Sequence, residues 1–304
     1  MKEQLTDGRW RSVGMSGGGG TETPAISPHD SNLILINCDM SGAYRSTDGG
    51  QSWRMFNWRQ LTGCPFCAPV FHPLDPNVVF AAYSYAALLR VSRDKGVTWH
   101  PIGSGLPGGL RQIAIDPGQP ERMLAGTMNA VFLSQDGGAN WVPASGITGR
   151  SLGFHFEQNS PQACRVCVTA TADGAFRSED GGITWTPARQ GLADLPVVAF
   201  AGASDAGAHI SRIYAWLEEP MKPDAVTGDG AIFRSDDQGL TWQSMAPMSV
   251  LRGGDNYHAL LVTNVAPEIV YVVKPCFTPA DTIKRSDDGG RHWRSVAFTD
   301  KDDP

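Results

Sequence analysis

One eight-residue pattern recurs through this chain. Ser-x-Asp-x-Gly-x-x-Trp begins at Ser46, Ser92, Ser134, Ser178, Ser235 and Ser286, and all four fixed positions hold in all six copies. Successive copies start 46, 42, 44, 57 and 51 residues apart, close to the roughly 40–50 residues of one four-stranded propeller blade. Six of the nine tryptophans stand in these copies, so the pattern is no accident of composition. Its chemistry is that of a tight turn. Asp accepts backbone N–H bonds across the turn, Gly takes a backbone conformation closed to residues with a Cβ, and Trp opens the next strand and covers the hairpin. An aspartate already used by its own turn is not available for catalysis, and six identical turns are not six active sites.

Four strands can be read around each box. In the first repeat they are residues 23–27, 33–38, 43–45 and 53–56, bounded by Pro-, Asn- and Gly-bearing turns. Turns such as Ser27-Pro28-His29-Asp30 and His72-Pro73-Leu74-Asp75-Pro76-Asn77 join the first strand to the second, and the boxes join the third to the fourth. Because antiparallel strands alternate in direction, these two sets of turns share one end of the propeller. The loops between second and third strands, and those between blades, share the other. That loop end is free to vary and is the expected working surface.

The expected fold is all-β: one propeller domain over residues 1–304, with six recognisable four-stranded blades at roughly 21–57, 66–102, 110–144, 151–188, 196–246 and 257–298. Residues 5–13 read as a lone outer strand, since Trp10-Arg11-Ser12-Val13 echoes Trp293-Arg294-Ser295-Val296. Trp10 needs a blade to join. On that ground an incomplete seven-bladed propeller is expected in preference to a six-bladed ring, in which Cys38 and Cys276 would be neighbours.

Composition bounds the partners. Hydrophobic residues make up 41% of the chain and charged ones 18%, enough apolar material for a large core. The formal net charge of −6, without a run of Lys or Arg, argues against nucleic acid. The longest apolar stretches, residues 77–82 and 269–273, are strand-length, and no membrane partner is expected. Residues 1–20 lack the basic start, apolar run and cleavage site of a signal peptide, so either the protein stays inside or a leader lies outside this sequence.

The opening of the chain carries a further signal. Trp10-Arg11-Ser12-Val13 leads to Gly17-Gly18-Gly19-Gly20, then to Ile26-Ser27-Pro28-His29-Asp30-Ser31-Asn32, and then to Asn37-Cys38-Asp39-Met40-Ser41-Gly42-Ala43-Tyr44-Arg45. This stretch resembles the start of the xyloglucan-active enzymes of glycoside hydrolase family 74 (GH74). The resemblance is specific over roughly the first fifty residues; the remainder matches as propeller repeats. It implies secretion, hydrolysis of a β-glucan or xyloglucan-like polysaccharide with inversion, and Asp39 as one of two catalytic carboxylates. In that family the second carboxylate comes from a second propeller, so a second propeller domain or chain is an implied partner. Asn37-Cys38 stands here where the family has Arg-Thr. Sialidases share the box, but the three arginines and the early Arg-Ile-Pro-like motif they need are not evident; Arg212-Ile213-Tyr214 reads as an ordinary strand. A non-catalytic propeller that binds glycan or protein is the competing class.

On the loop end the candidates for substrate binding are Trp58, Tyr83, Tyr85, Arg111, Arg150, Trp216, Tyr257 and His258. Aromatic faces stack on the apolar faces of sugar rings, and charged groups bond the hydroxyls. Trp58 and Trp216 are the sharpest of these, lying outside the boxes in expected loops. Hydrolysis needs two carboxylates about 5–5.5 Å apart for retention or about 6.5–9.5 Å for inversion. Asp39 is one, and Asp173, Glu218, Glu219 and Asp255 are candidate partners within this chain. Glu22, Arg59, Met128, Asn129, Asn256, Lys274 and Asp281 stand in the same set of loops. No cofactor is implied and no metal site is expected. Cys164 and Cys167 read as one strand, where an i, i+3 pair faces opposite ways; Cys64 and Cys67 stand in an interblade loop, where they could form a local disulfide or bind metal, and buried thiols are the reading for most of the cysteines.

Overall fold

The computed structural model describes residues 20–40, 42–218, 230–245, 259–273 and 283–296. Glu219, Asp255, Asn256, Tyr257, His258, Lys274 and Asp281 lie outside these residues, as do Trp10 and Cys276, the two that bear on the propeller's seam. Six sheets of four antiparallel strands follow one another along the chain at residues 21–55, 70–101, 112–143, 154–187, 197–244 and 259–295, forming a six-bladed propeller. The first blade comprises Thr21–Ile26, Ile34–Cys38, Gly42–Ser46 and Arg54–Met55.

The hydrophobic core lies between blades. Leu35, Phe56, Val79 and Trp99 join the first blade to the second, and Phe80, Val91, Ile113 and Met123 the second to the third. Three further layers continue this to the sixth blade. A sheet covered on both faces loses the alternation of a half-exposed strand. Val79, Phe80, Ala81 and Ala82 are accordingly all buried in sequence.

Each box is a closed hydrogen-bond circuit. In the fourth, Ser178 Oγ donates to Asp180 Oδ1 at 2.7 Å and accepts from Gly182 N at 2.9 Å; Asp180 Oδ1 accepts from Thr184 N at 2.9 Å and Oδ2 from Thr184 Oγ1 at 2.6 Å. The residue before the tryptophan is a side-chain donor to this carboxylate in every box: Ser52, Thr98, Asn140, Thr184, Thr241 and His292. The fixed glycine has φ between 83° and 98° in all six, which only glycine adopts readily. The residue before it sits in the milder left-handed region, where Lys95 (φ 60°) and Gln238 (φ 63°) replace the glycine of the other boxes. The Asp48 carboxyl is held down to about 2, first by the Ser52 hydroxyl and then by the Ser52 N–H.

The boxes and first turns share one end, as expected. Gly49 N donates to Asn32 O, Lys95 N to Asn77 O, Gly137 N to Glu121 O, Gly181 N to Arg165 O and Gly289 N to Glu268 O. Asp39 follows the far end of Ile34–Cys38, whose other end pairs Ile34 with Ser46 of the box, so it stands on the opposite end. Box tryptophans Trp99, Trp141, Trp185 and Trp293 donate from Nε1 to the glycine carbonyl of their own turn. Trp242 differs, donating to Ala188 O of the preceding blade at 2.8 Å.

Two readings of the blades need correction. Trp216 and Glu218 belong to a nine-residue strand, Ile210–Glu218, not to a loop. This second strand is longer than its counterparts of four or five residues in the first four blades, and its apolar run continues to Leu217, so the turn comes later than the repeat length suggests. Cys164 closes a 3-10 turn, Gln162–Cys164, and is exposed, while Cys167 begins the next strand and is buried. Pro161 in front of the turn and the Arg165 side chain, which binds Asp116, Glu157 and Ser160, delay the strand by three residues relative to the expectation.

Candidate functional site

Asp39 lies just past the second strand of the first blade, where three elements fix its backbone. Its N–H donates to Gly20 O at 3.2 Å, and its carbonyl accepts from Tyr85 Oη of the second blade at 2.8 Å. The interblade loop presses on the same turn through Gly63: a Cβ there would come within 2.2 Å of Cys38 O and 2.6 Å of Gly42 O, so only glycine fits. The Cys38 thiol approaches Asp39 Oδ1 at 3.8 Å.

Asp39 lines a depression of about 280 Å3 walled by Met40, Met55, Trp58, Leu61, Thr62 and Tyr85 among others. Its rim is unusually apolar for an exposed surface. Met40 is 76% exposed, Trp58 65% and Tyr85 61%. Tyr85 is braced edge-on by Phe66 at 5.6 Å, and the Arg111 guanidinium covers the Phe66 ring at 4.1 Å from its centroid. Arg111 Nε points to Met128 Sδ at 3.1 Å, and its Nη1 is buried with no hydrogen-bond partner among the described residues. The Arg59 guanidinium lies 5.3 Å from the Trp58 ring.

A second carboxylate meets Asp39 across the sheet. Thr21 pairs with Cys38 and Glu22 with Asn37, after which the register shifts before Ala25 pairs with Leu35. The irregularity carries Thr23 to φ +50°, a costly conformation for a β-branched residue. The Asn37 amide secures it, donating to Thr23 Oγ1 at 2.8 Å. This bulge lies next to Glu22, consistent with the use of bulges to re-aim side chains. Burial first, and then the Asp39 carboxylate, raise the Glu22 carboxyl above the ordinary range. Gly20 leaves the space between them open, since a Cβ placed there would touch Glu22 Oε1 at 3.4 Å and Asp39 Oδ2 at 3.9 Å. Glu22 is absent from the partners that the residue pattern suggests for Asp39. Its place opposite Asn37 is open to inference from the strand register, whereas the bulge has no mark in the residue types.

The other candidates disperse. Trp216 is 1% exposed in the layer between the fifth and sixth blades, packed with Tyr214, Ile232 and Leu260, so it is a core residue and offers no ring to a ligand. Glu218 is buried at the end of its strand, paired in register with Gly230. Asp173 is exposed in the turn of the fourth blade, its N–H bonded to Thr171 Oγ1, and Arg150 is exposed between the third and fourth blades. Neither they nor Glu218 line the depression that holds Asp39. Tyr83 is half-buried, its ring beneath the Arg90 guanidinium at 4.5 Å. Cys64 and Cys67 are buried thiols, both pushed up by burial. No group of three His, Cys, Asp or Glu that could hold a metal occurs among the described residues.

The boxes and the blade order define the class: this chain is an Asp-box β-propeller, and residues 44–55 match the BNR/Asp-box repeat family. Its likeness lies with GH74. Over 157 residues, 43% of this chain, it is 28% identical to a xyloglucanase of Paenibacillus sp, of whose length the match covers 15%. The GH74 xyloglucanase structure from Xanthomonas campestris superposes with a TM-score of 0.68 at 23% identity, over 95% of this chain and 47% of that one. YCF48 bound to D1 peptide shares the fold at a TM-score of 0.57 and 18% identity, over 91% of this chain and 81% of that one. The chain thus spans under half of either xyloglucanase, and it is a GH74-like Asp-box propeller.

Proposed function

We propose that this protein binds a β-glucan or xyloglucan-like polysaccharide across the depression of its first two blades and hydrolyses it with Asp39 as acid or base. The observation that carries this reading is Asp39 lining an open depression beside the exposed rings of Trp58 and Tyr85. Exposed aromatic rings supply flat apolar faces for pyranose C–H groups, and a carboxylate beside them is the kind of group that exchanges a proton with a glycosidic oxygen or with water. Similarity to xyloglucanases over the matched 157 residues supports the choice of sugar. A second propeller domain or chain is the partner that the GH74 resemblance adds.

The competing reading is a non-catalytic propeller for glycan or protein. It is favoured by the fold shared with YCF48 in its complex with D1 peptide. Reducing-end release from a panel of β-glucans, with Asp39→Asn as control, separates the two. Hydrolysis by the wild type and its loss in the variant support the enzyme. Equal behaviour of both, with glycan or peptide still bound, supports the binding module.

A further inference from the structure

The strap that joins the first blade to the second, residues 56–69, carries the motif Cys64-Pro65-Phe66-Cys67. We propose that Cys64 and Cys67 are a thiol–disulfide site, whose oxidation ties this turn into a covalent ring and clips the strap against the turn that carries Asp39. The proposal does not depend on what the depression binds.

The backbone supplies the geometry. Pro65 and Phe66 form the corner of a tight turn from Cys64 to Cys67, with proline where its fixed φ suits the turn. The ends of such a turn have Cα atoms less than about 7 Å apart, and a disulfide takes about 4.4–6.8 Å. Both cysteines are buried in the apolar layer between the second and third blades, as free thiols, close enough for charge on one sulfur to act on the other. Two sulfurs are too few for a structural zinc, which takes four ligands, and no third His, Cys, Asp or Glu completes a metal group among the described residues.

The two thiols differ. Burial raises the Cys64 thiol, while the Phe66 and Cys67 N–H groups and Arg111 favour its thiolate. The Cys67 thiol is raised by burial and then by Cys64, and approaches the Ala68 carbonyl at 3.8 Å. Cys64 is therefore the first to react. Its thiolate attacks a small-molecule disulfide such as oxidised glutathione, giving a mixed disulfide and one glutathione thiol. The Cys67 thiolate then attacks the Cys64 sulfur and displaces the second glutathione thiol. The protein loses two hydrogens and two electrons, and one glutathione disulfide becomes two thiols. Burial makes both steps slow.

The ring would hold what the strap supports. Gly63, beside Cys64, packs on the carbonyls of Cys38 and Gly42, and the Asn37 amide donates to Cys67 O at 3.5 Å. Phe66, inside the ring, braces Tyr85, which bonds the Asp39 carbonyl. A covalent ring also removes conformations from the unfolded chain.

The test equilibrates the full chain with reduced and oxidised glutathione, quenches with acid and alkylates in denaturant. Trypsin cleavage after Arg59 and Arg90 gives one peptide, residues 60–90, that holds Cys64 and Cys67 and no other cysteine. By mass spectrometry this peptide is expected two hydrogens lighter than the dithiol and closed to alkylation until reduced. The oxidised protein is expected to unfold at a higher denaturant midpoint than the reduced one, and Cys67→Ala to abolish that rise, with Cys64→Ser as the control should the first variant not fold. A peptide that stays fully alkylated, keeps glutathione as its end product or is joined to the peptide bearing Cys38 overturns the site. A linked peptide without a rise in midpoint, or a rise that survives in the variants, overturns the clip.

Discussion

The two ends of this propeller solve opposite problems. At the box end, six copies of one turn spend their polar atoms on their own closure: the circuit of serine hydroxyl, aspartate carboxylate and backbone N–H repeats from Ser46 to Trp293 with the same partners. At the loop end, the first blade leaves Asp39 open to a depression with exposed Met40, Trp58 and Tyr85 around it. The Asp48 box carboxylate is held low by local donors, whereas Glu22 is raised by burial and by Asp39. Identical chemistry repeated six times marks scaffold; a strained and partly apolar arrangement that the other described blades do not repeat marks a candidate site.

Substitutions sharpen this contrast. The largest effect is expected at Asp39. Asp39→Asn should lower hydrolysis of a β-glucan by about 10²–10⁴-fold while shifting the denaturant midpoint little, because the backbone of Asp39, not its carboxylate, carries the bonds to Gly20 and Tyr85. A comparable loss of stability in this variant would make Asp39 part of the scaffold. Trp216→Ala should do the reverse, costing about 3–5 kcal/mol of stability as a buried aromatic is removed, read by chemical denaturation. Trp58→Ala, at an exposed ring, should leave stability within about 0.5 kcal/mol and weaken glycan binding about tenfold, as expected where a tryptophan is one of the few residues that carry the binding energy.

Gly146→Ala tests the joints between blades. Gly146 has φ +78°, and an added Cβ would lie 2.1 Å from Trp185 O of the next blade. Because the clash is with backbone, about 2–4 kcal/mol of destabilisation is expected by thermal or chemical unfolding. The smallest effect belongs to a single box. Asp48 falls from 3.8 in the unfolded chain to about 2 in the fold. A depressed carboxyl contributes stability that is present above the unfolded value and lost as pH falls through the folded one. The stability difference between wild type and Asp48→Asn should therefore be constant above about pH 5, shrink as pH falls from about 4 and vanish only near pH 1, below the folded value; a difference that persists undiminished to about pH 1 would show that the carboxylate's charge is not what the turn uses.

Much of the scaffold is legible in the residues because a box is a local object. Its Ser, Asp and Gly act within five residues of one another, so the repeat specifies the turn wherever it stands, and the blade boundaries follow from its spacing. The donor before each tryptophan is harder to see, because Ser, Thr, Asn and His share chemistry but not a letter. The site is legible in part. The run around Asp39 points to the first blade, and Trp58 and Tyr85 do line the depression with it. Trp216 misleads because a strand that runs to nine residues looks, by repeat length, like a loop.

What the sequence determined alone was therefore the class of fold, the number of Asp-box blades and the end that the boxes occupy, since each depends on contacts between near neighbours in the chain. The tertiary structure decided which loop-end residues meet. Gly63 against the carbonyls of Cys38 and Gly42, Tyr85 on the Asp39 carbonyl, Gly146 against Trp185 and Glu22 beside Asp39 all join residues from different strands or blades. Such contacts depend on register, on a bulge at Thr23 and on the rotation of one blade against the next, and no local pattern of residue types encodes those.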